Sequence, residues 1–191
     1  MVTPFVRHRG KVAALPRANV DTDQIVPKQF LKGVERTGFA ASLFFDWRAS
    51  PDFELNRPAA QGATILLTGP NFGCGSSREH AVWALAEYGF RAIVAPSFAD
   101  IFSANCYQNG VAPVRLSGDG VDELVRRCRA GHGAYRLTID LEAQRVADDA
   151  GFSAAFRMEP YRREMLLRGL DEIGRTLLQE SRIADFERSR A

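Results

Sequence analysis

Apolar runs separated by turn formers divide the middle of the chain into short buried strands and amphipathic segments. Ala63-Thr64-Ile65-Leu66-Leu67-Thr68 is an almost continuous apolar run closed by Gly69-Pro70, as in a strand covered on both faces. Residues 92–95 (Ala-Ile-Val-Ala) repeat the pattern, and residues 111–116 give a third short strand. Between them, 78–88 predicts a helix with Ala81, Val82 and Leu85 on one face and Gly89 as its stop. A second helix is expected over 98–108, with Ile101 and Phe102 inward and Asn109-Gly110 ending it, and a third over 121–130. Strand and helix in strict alternation predict an α/β layer on a mainly parallel sheet with flanking helices.

The flanks follow other patterns. Residues 5–15 predict a strand of small apolar residues, and 16–30 a loop through Asn19-Val20-Asp21-Thr22-Asp23 to Pro27. Residues 31–60 are irregular, broken by Gly33, Gly38, Pro51 and Pro58. A loop that long in one domain usually carries function. Residues 135–140 and 144–146 alternate polar and apolar, like strands with one wet face. From Pro160 onward the chain reads as an Arg-rich amphipathic helical region, with Met165, Leu166, Ile173, Leu177, Leu178, Ile183 and Phe186 as its apolar positions. The expected organisation is a domain over 1–158 and a C-terminal helical arm over 159–191. There is no internal repeat or low-complexity segment.

Composition narrows the function classes. With 25 Lys+Arg against 23 Asp+Glu the net charge is +2, which supports neither nucleic acid nor a membrane surface as partner. The N-terminus carries Arg7, His8 and Arg9 but no apolar core of a secretory signal, and Val12 to Leu15 is too short to span a bilayer. Cys74, Cys106 and Cys128 are odd in number and widely spaced, so a reducing, cytoplasmic setting is expected rather than a disulfide framework. His8, His80 and His132 are scattered as well, so no metal site with recognisable spacing can be assembled.

Candidate chemistry concentrates in Asn71-Phe72-Gly73-Cys74-Gly75-Ser76-Ser77-Arg78-Glu79-His80, between a buried strand and a helix. Backbone N–H groups at such a turn form a natural anion site, here assigned to Gly73, Cys74 and Gly75. Ser76 and Ser77 add hydroxyls, and Arg78 a fork suited to a carboxylate. Neither a Walker A loop nor G-x-G-x-x-G is present, and there is no G-x-S-x-G elbow. Ser76-x-x-Glu79 also fits a capping box that simply closes the helix, and His80 fits a structural role better than a substrate contact.

The block from Asn71 to Ala81 resembles the hallmark of the swivelling C-terminal domain of the aconitase superfamily. Val20 to Leu31, Arg36-Thr37-Gly38-Phe39, Leu43 to Arg48, and Ser97 to Phe102 with Asn105 and Gly110 extend the likeness over essentially the whole chain. The Arg-Thr-Gly-Phe and Phe-Phe-Asp-Trp-Arg blocks resemble the isopropylmalate dehydratase small-subunit branch. The resemblance implies a swivelling β/β/α fold and a hydro-lyase acting on a hydroxy dicarboxylate in leucine biosynthesis. It implies Ser76 as the base, Arg78 as the carboxylate clamp and Ser77 as a hydrogen-bonding partner. It further implies a separate large subunit carrying a [4Fe-4S] cluster, with no cofactor held by this chain. Arg36, Thr22 and Asp23 are candidate substrate contacts, Thr22 and Asp23 being equally able to shape a turn. Phe39, Leu43 and Phe44 could line an apolar pocket or be local core. Other readings are a related hydroxy-diacid dehydratase (citramalate or homocitrate type), a stand-alone anion- or RNA-binding module, and a purely structural partner.

Overall fold

Every strand expected from the apolar runs forms, and the computed structural model describes residues 2–31 and 37–190. In chain order the helices and strands are β1 (Arg7–Leu15), α1 (Thr22–Ile25), α2 (Phe45–Arg48), β2 (Ile65–Thr68), α3 (His80–Tyr88), β3 (Ala92–Ala95), α4 (Asp100–Gln108), β4 (Ala112–Arg115), α5 (Gly118–Ala130), β5 (Arg136–Asp140), β6 (Arg145–Ala147), β7 (Ser153–Ala155), α6 (Pro160–Arg168), α7 (Glu172–Leu177) and α8 (Glu180–Arg188). One seven-stranded sheet runs in the order β4-β3-β2-β1-β5-β6-β7. Its β4–β1 half is parallel and its β1–β7 half antiparallel, so β1 joins the two.

The side-chain period of two sorts β2 between two apolar layers. Leu66 faces the layer formed with Ile25 of α1, Val82 and Leu85 of α3, Phe102 and Cys106 of α4, and Phe44 and Phe53 of the irregular segment. Ile65 and Leu67 face the other layer, with Val94, Val114, Leu124 of α5 and Leu166 of α6. Both layers are dry, which is why the central strands read as unbroken apolar runs rather than alternating ones.

Several expectations shift. α4 starts at Asp100 and buries Phe102 and Cys106, one turn apart, whereas Ile101 is 55% exposed, because an inward face at 102 and 106 turns 101 toward solvent. The C-terminal apolar positions divide. Met165 and Leu166 of α6 are buried, while Ile173, Leu177, Leu178, Ile183 and Phe186 are exposed. Phe39, Leu43 and Phe44 are buried in the first layer and belong to the core rather than to an open pocket. Arg17 stacks its guanidinium 4.4 Å over Trp47 and pairs with Glu54, pinning the irregular segment to the exit of β1.

Candidate active site

Parallel pairing of β1, β2 and β3 brings their C-terminal ends to one end of the sheet, where ligands bind in open α/β sheets. The exits of β1 and β2 stay joined beyond the strands. Gly69 N–H donates to the Arg17 carbonyl (3.2 Å), Asn19 N–H to Pro70 (2.9 Å), Gly73 N–H to Val20 (2.8 Å) and Thr22 N–H to Cys74 (2.9 Å). The exit of β3 completes the cradle: Phe72 N–H donates to the Ser97 carbonyl (3.2 Å) and Ala99 N–H to Phe72 (3.1 Å). The Gly-rich turn is thus held between two neighbours like a short strand.

Within it φ is positive at Asn71, Gly73 and Gly75, so the chain bends at alternate residues. At Gly73 (φ +77°) a Cβ would also lie 2.1 Å from the Phe102 ring, so this position has room only for hydrogen. Its N–H is taken by Val20. That corrects the assignment of Gly73 as an anion donor, since its role is to hold the turn. Gly75, Ser76 and Ser77 are exposed, and among the described residues their N–H groups and both hydroxyls have no hydrogen-bond partner. Cys74 is half-buried; burial, then the Asp21 charge, pushes its thiol up, which keeps it protonated at neutral pH and makes it a loop filler.

The capping-box reading of Ser76 does not hold. α3 starts at His80 rather than 78, with Glu79 at the cap position and no side-chain cap bond. Its physical cause is a competing set of bonds: the Ser76 carbonyl accepts from Thr22 Oγ1 (3.0 Å) and Arg78 N–H (2.8 Å), which keeps 76–78 out of helix. The Glu79 carboxylate instead accepts from Asn109 Nδ2 (2.8 Å), tying the start of α3 to the end of α4. His80 packs edge-on against Phe39 (5.2 Å between ring centroids) and beside Trp83 (4.6 Å), a structural placement.

The capping box lies elsewhere, in Asp21-x-x-Gln24. Asp21 Oδ1 accepts from Gln24 N–H (2.8 Å) and Gln24 Oε1 from Asp21 N–H (3.0 Å). The signal was present in the sequence but overshadowed by the neighbouring turn. It builds α1, from which buried Thr22 reaches Ser76 and Asp23 reaches Arg78. The Arg78 guanidinium is hydrogen-bonded to the Asp23 carboxylate, and this contact holds the Asp23 carboxyl below its ordinary value. Ser76, Ser77, Arg78, Thr22 and Asp23 therefore meet in one place. Arg36 lies outside the described residues.

The donor set does not fit a metal cluster. Among the described residues no three His, Cys, Asp or Glu side chains gather within ligand reach, and the three cysteines are separate free thiols, Cys106 fully buried. A surface cavity of about 580 Å³ lies elsewhere, lined by Arg115, Ser117, Gln144, Phe156 and neighbours, and none of the gathered residues lines it. What the turn offers is an exposed hydroxyl pair and free N–H donors beside a guanidinium, suited to a carboxylate or an oxyanion.

Comparison with known proteins gives concordant results. The family model described as the aconitase C-terminal domain matches residues 2–119, and one described as LeuD_N matches 122–160. A 3-isopropylmalate dehydratase small subunit from Rhodopirellula baltica is 58% identical, with 97% of this chain and 98% of that protein covered. One from Geobacillus sp. (strain WCH70) is 57% identical, covering 97% and 96%, and one from Bacillus subtilis is 52% identical, covering 98% and 96%. The crystal structure of 3-isopropylmalate dehydratase from Methanocaldococcus jannaschii superposes with a TM-score of 0.69 at 25% identity, covering 93% of this chain and 99% of that one.

Two outcomes are expected. Gly73→Ala should destabilise the chain by about 1–3 kcal/mol in thermal or urea unfolding, from the positive φ and the Phe102 clash; wild-type stability would show that the turn has room. In ¹³C NMR, Asp23 should titrate below 3.8, and its midpoint should rise in Arg78→Ala. Because the folded value is depressed, the pair's stabilisation is present above the unfolded value and fades as pH falls through the folded one. A midpoint unmoved by Arg78→Ala would break the assignment.

Proposed function

The chain belongs to the aconitase C-terminal domain family and, within it, to the 3-isopropylmalate dehydratase small subunits, and from that membership we propose that it completes the active site of a two-subunit hydro-lyase interconverting 2-isopropylmalate and 3-isopropylmalate. The observation that carries the reading is the exposed Ser76 hydroxyl, without a partner among the described residues, on a turn whose neighbouring residue is Ser77 and whose guanidinium is Arg78.

Dehydration removes a carbon-bound proton and a hydroxyl from adjacent carbons, and rehydration returns them with their positions exchanged. Ser76 is the proton acceptor in this scheme. A serine hydroxyl is a poor base by itself, but free N–H donors at 75–77 and the positive charge of Arg78 favour its ionised form. The Arg78 fork clamps a substrate carboxylate. Asp23 engages Nη1 of that fork, which orients the guanidinium and leaves its other N–H groups for the substrate. Ser77 adds a hydroxyl donor. Thr22 acts one step back by fixing the Ser76 carbonyl, and so the turn that presents the base. Gly75 and Cys74 shape that turn, with Gly75 at φ +87°.

We take the [4Fe-4S] cluster that the family resemblance implies to be held by the large subunit, where it would supply Lewis-acid chemistry at the substrate hydroxyl. The same reading makes a small hydroxy dicarboxylate the ligand. It locates the protein in the cytoplasm; no helix among the described residues is long and apolar enough to cross a membrane.

The test is reconstitution with a cluster-bearing large subunit under anaerobic conditions, following the unsaturated intermediate by its ultraviolet absorbance. The chain alone should be inactive. Ser76→Ala should lower kcat by about 10²–10⁴, the usual range for loss of a general base. Arg78→Lys should lower kcat/KM about 10- to 100-fold, since it loses a charge-assisted bidentate contact. Full turnover by the Ser76→Ala complex would overturn the base assignment, and faster turnover of citramalate or homocitrate would overturn the substrate.

A further inference from the structure

One face of α3 is given over to the segment just after residue 36. His80, Trp83 and Glu87 stand at i, i+3 and i+7 and so share one side of the helix. Glu87, in the last turn, accepts three successive backbone N–H groups: Gly38 at Oε1 (2.7 Å), and Phe39 (2.5 Å) and Ala40 (2.9 Å) at Oε2. Gly38 is at φ +92° and Phe39 is right-handed (φ −85°, ψ −14°). This alternation turns consecutive N–H groups to one side and makes a nest for an anion. At the other end of the helix the Phe39 ring, 5% exposed, meets His80 edge-on at 5.2 Å and Trp83 at 5.7 Å.

A carboxylate that merely closed the short 3-10 turn Ala40–Ser42 would explain one of these contacts. It would not explain why the same helix face holds Phe39 against the residue two beyond Arg78. We propose that Glu87 is a positioning residue for the reaction, its carboxylate fixing Gly38–Ala40 so that the segment following Arg36 and the start of α3 after Arg78 keep one relative placement. The inference rests on the hydro-lyase reading and deepens it. Glu87 lies at the far end of α3 from the base and among the described residues bonds only backbone, so its loss leaves the base in place. Without it, ordering of the segment has to accompany substrate binding, a cost common to ground and transition states, which raises KM and leaves kcat.

The experiment uses Glu87→Gln and Glu87→Asp in the reconstituted two-subunit enzyme, with amide hydrogen exchange on the isolated chain. Gln keeps the shape but sets an amide N–H₂ against backbone N–H groups. Its KM for 2-isopropylmalate should rise about tenfold, the scale of a lost charge-assisted bond, with kcat within about twofold. Exchange at Gly38, Phe39 and Ala40 should quicken in Gln and recover in part in Asp, which retains the charge. An unchanged KM, a fall in kcat alone, or unaltered exchange would each overturn the proposal. An inactive wild-type complex would instead overturn the hydro-lyase reading, so the two failures are distinguishable.

Discussion

The site depends on one constraint: β1 and β2 lie parallel and in register from Val12–Ile65 to Leu15–Thr68, and their exits remain paired afterwards. Because the register is fixed inside two dry layers, a slip by one residue would turn Leu66 out of its layer and Ile65 and Leu67 out of theirs. The core therefore sets which residue of 17–22 faces which residue of 69–76. Gly73 to Val20 and Thr22 to Cys74 are consequences of that register, and the Thr22 hydroxyl arrives at the Ser76 carbonyl for the same reason. Ser76 and Ser77, the hydroxyls of the candidate site, are themselves exposed. Their placement is inherited from hydrophobic packing one strand length below them.

A second layer of control comes from α3, which serves both ends of the site. Its start is deferred to His80 by bonds to the Ser76 carbonyl, so Ser76, Ser77 and Arg78 occupy a tightly turned, non-helical lead-in. In a helix, Arg78 and Ser76 would point to different sides, since residues two apart do not share a face. In the lead-in, Arg78 reaches the exposed Asp23 carboxylate, and the arginine is held with only 17% of its side chain exposed. Glu79 and Glu87 then lock the helix to α4 and to Gly38–Ala40, each through a carboxylate accepting N–H groups.

Strand positions were legible because burial on both faces leaves an unmistakable apolar run, as in Ile65-Leu66-Leu67 and Ala92-Ile93-Val94-Ala95. The turn was legible because glycine at 73 and 75 answers backbone conformations that other residues resist. What sequence did not reveal were contacts between distant segments. Ser76 and Glu79 have the spacing of a capping box, yet the Ser76 carbonyl is held by Thr22, the Glu79 carboxylate by Asn109, and no side chain caps the helix. Ile101 sits beside a buried Phe102, and only the helix phase set by Cys106 and the Phe72 ring turns it outward. The antiparallel β7, three residues long, carries no period to read. The anchoring role of Glu87 left no local trace, since its partners are backbone atoms almost fifty positions away.

The exposure of the Gly-rich turn follows from the same economy of charge. Enclosing a serine base and an arginine within this chain would desolvate both before any substrate arrived, and each isolated buried charge costs several kcal/mol. At the surface the Ser76 and Ser77 hydroxyls stay in water, unpartnered among the described residues, while the Arg78 side chain, 17% exposed, has Asp23 as counter-ion in place of much of its hydration. In the proposed two-subunit enzyme, water is excluded only when the large subunit and substrate close over the turn. Attraction between Arg78 and a substrate carboxylate then strengthens as the local dielectric falls, and the free N–H groups at 75–77 gain an anion to serve. Splitting the site between chains thus separates the stability of the fold, which the dry layers around β2 provide, from the electrostatic strain of catalysis, which arises only on assembly.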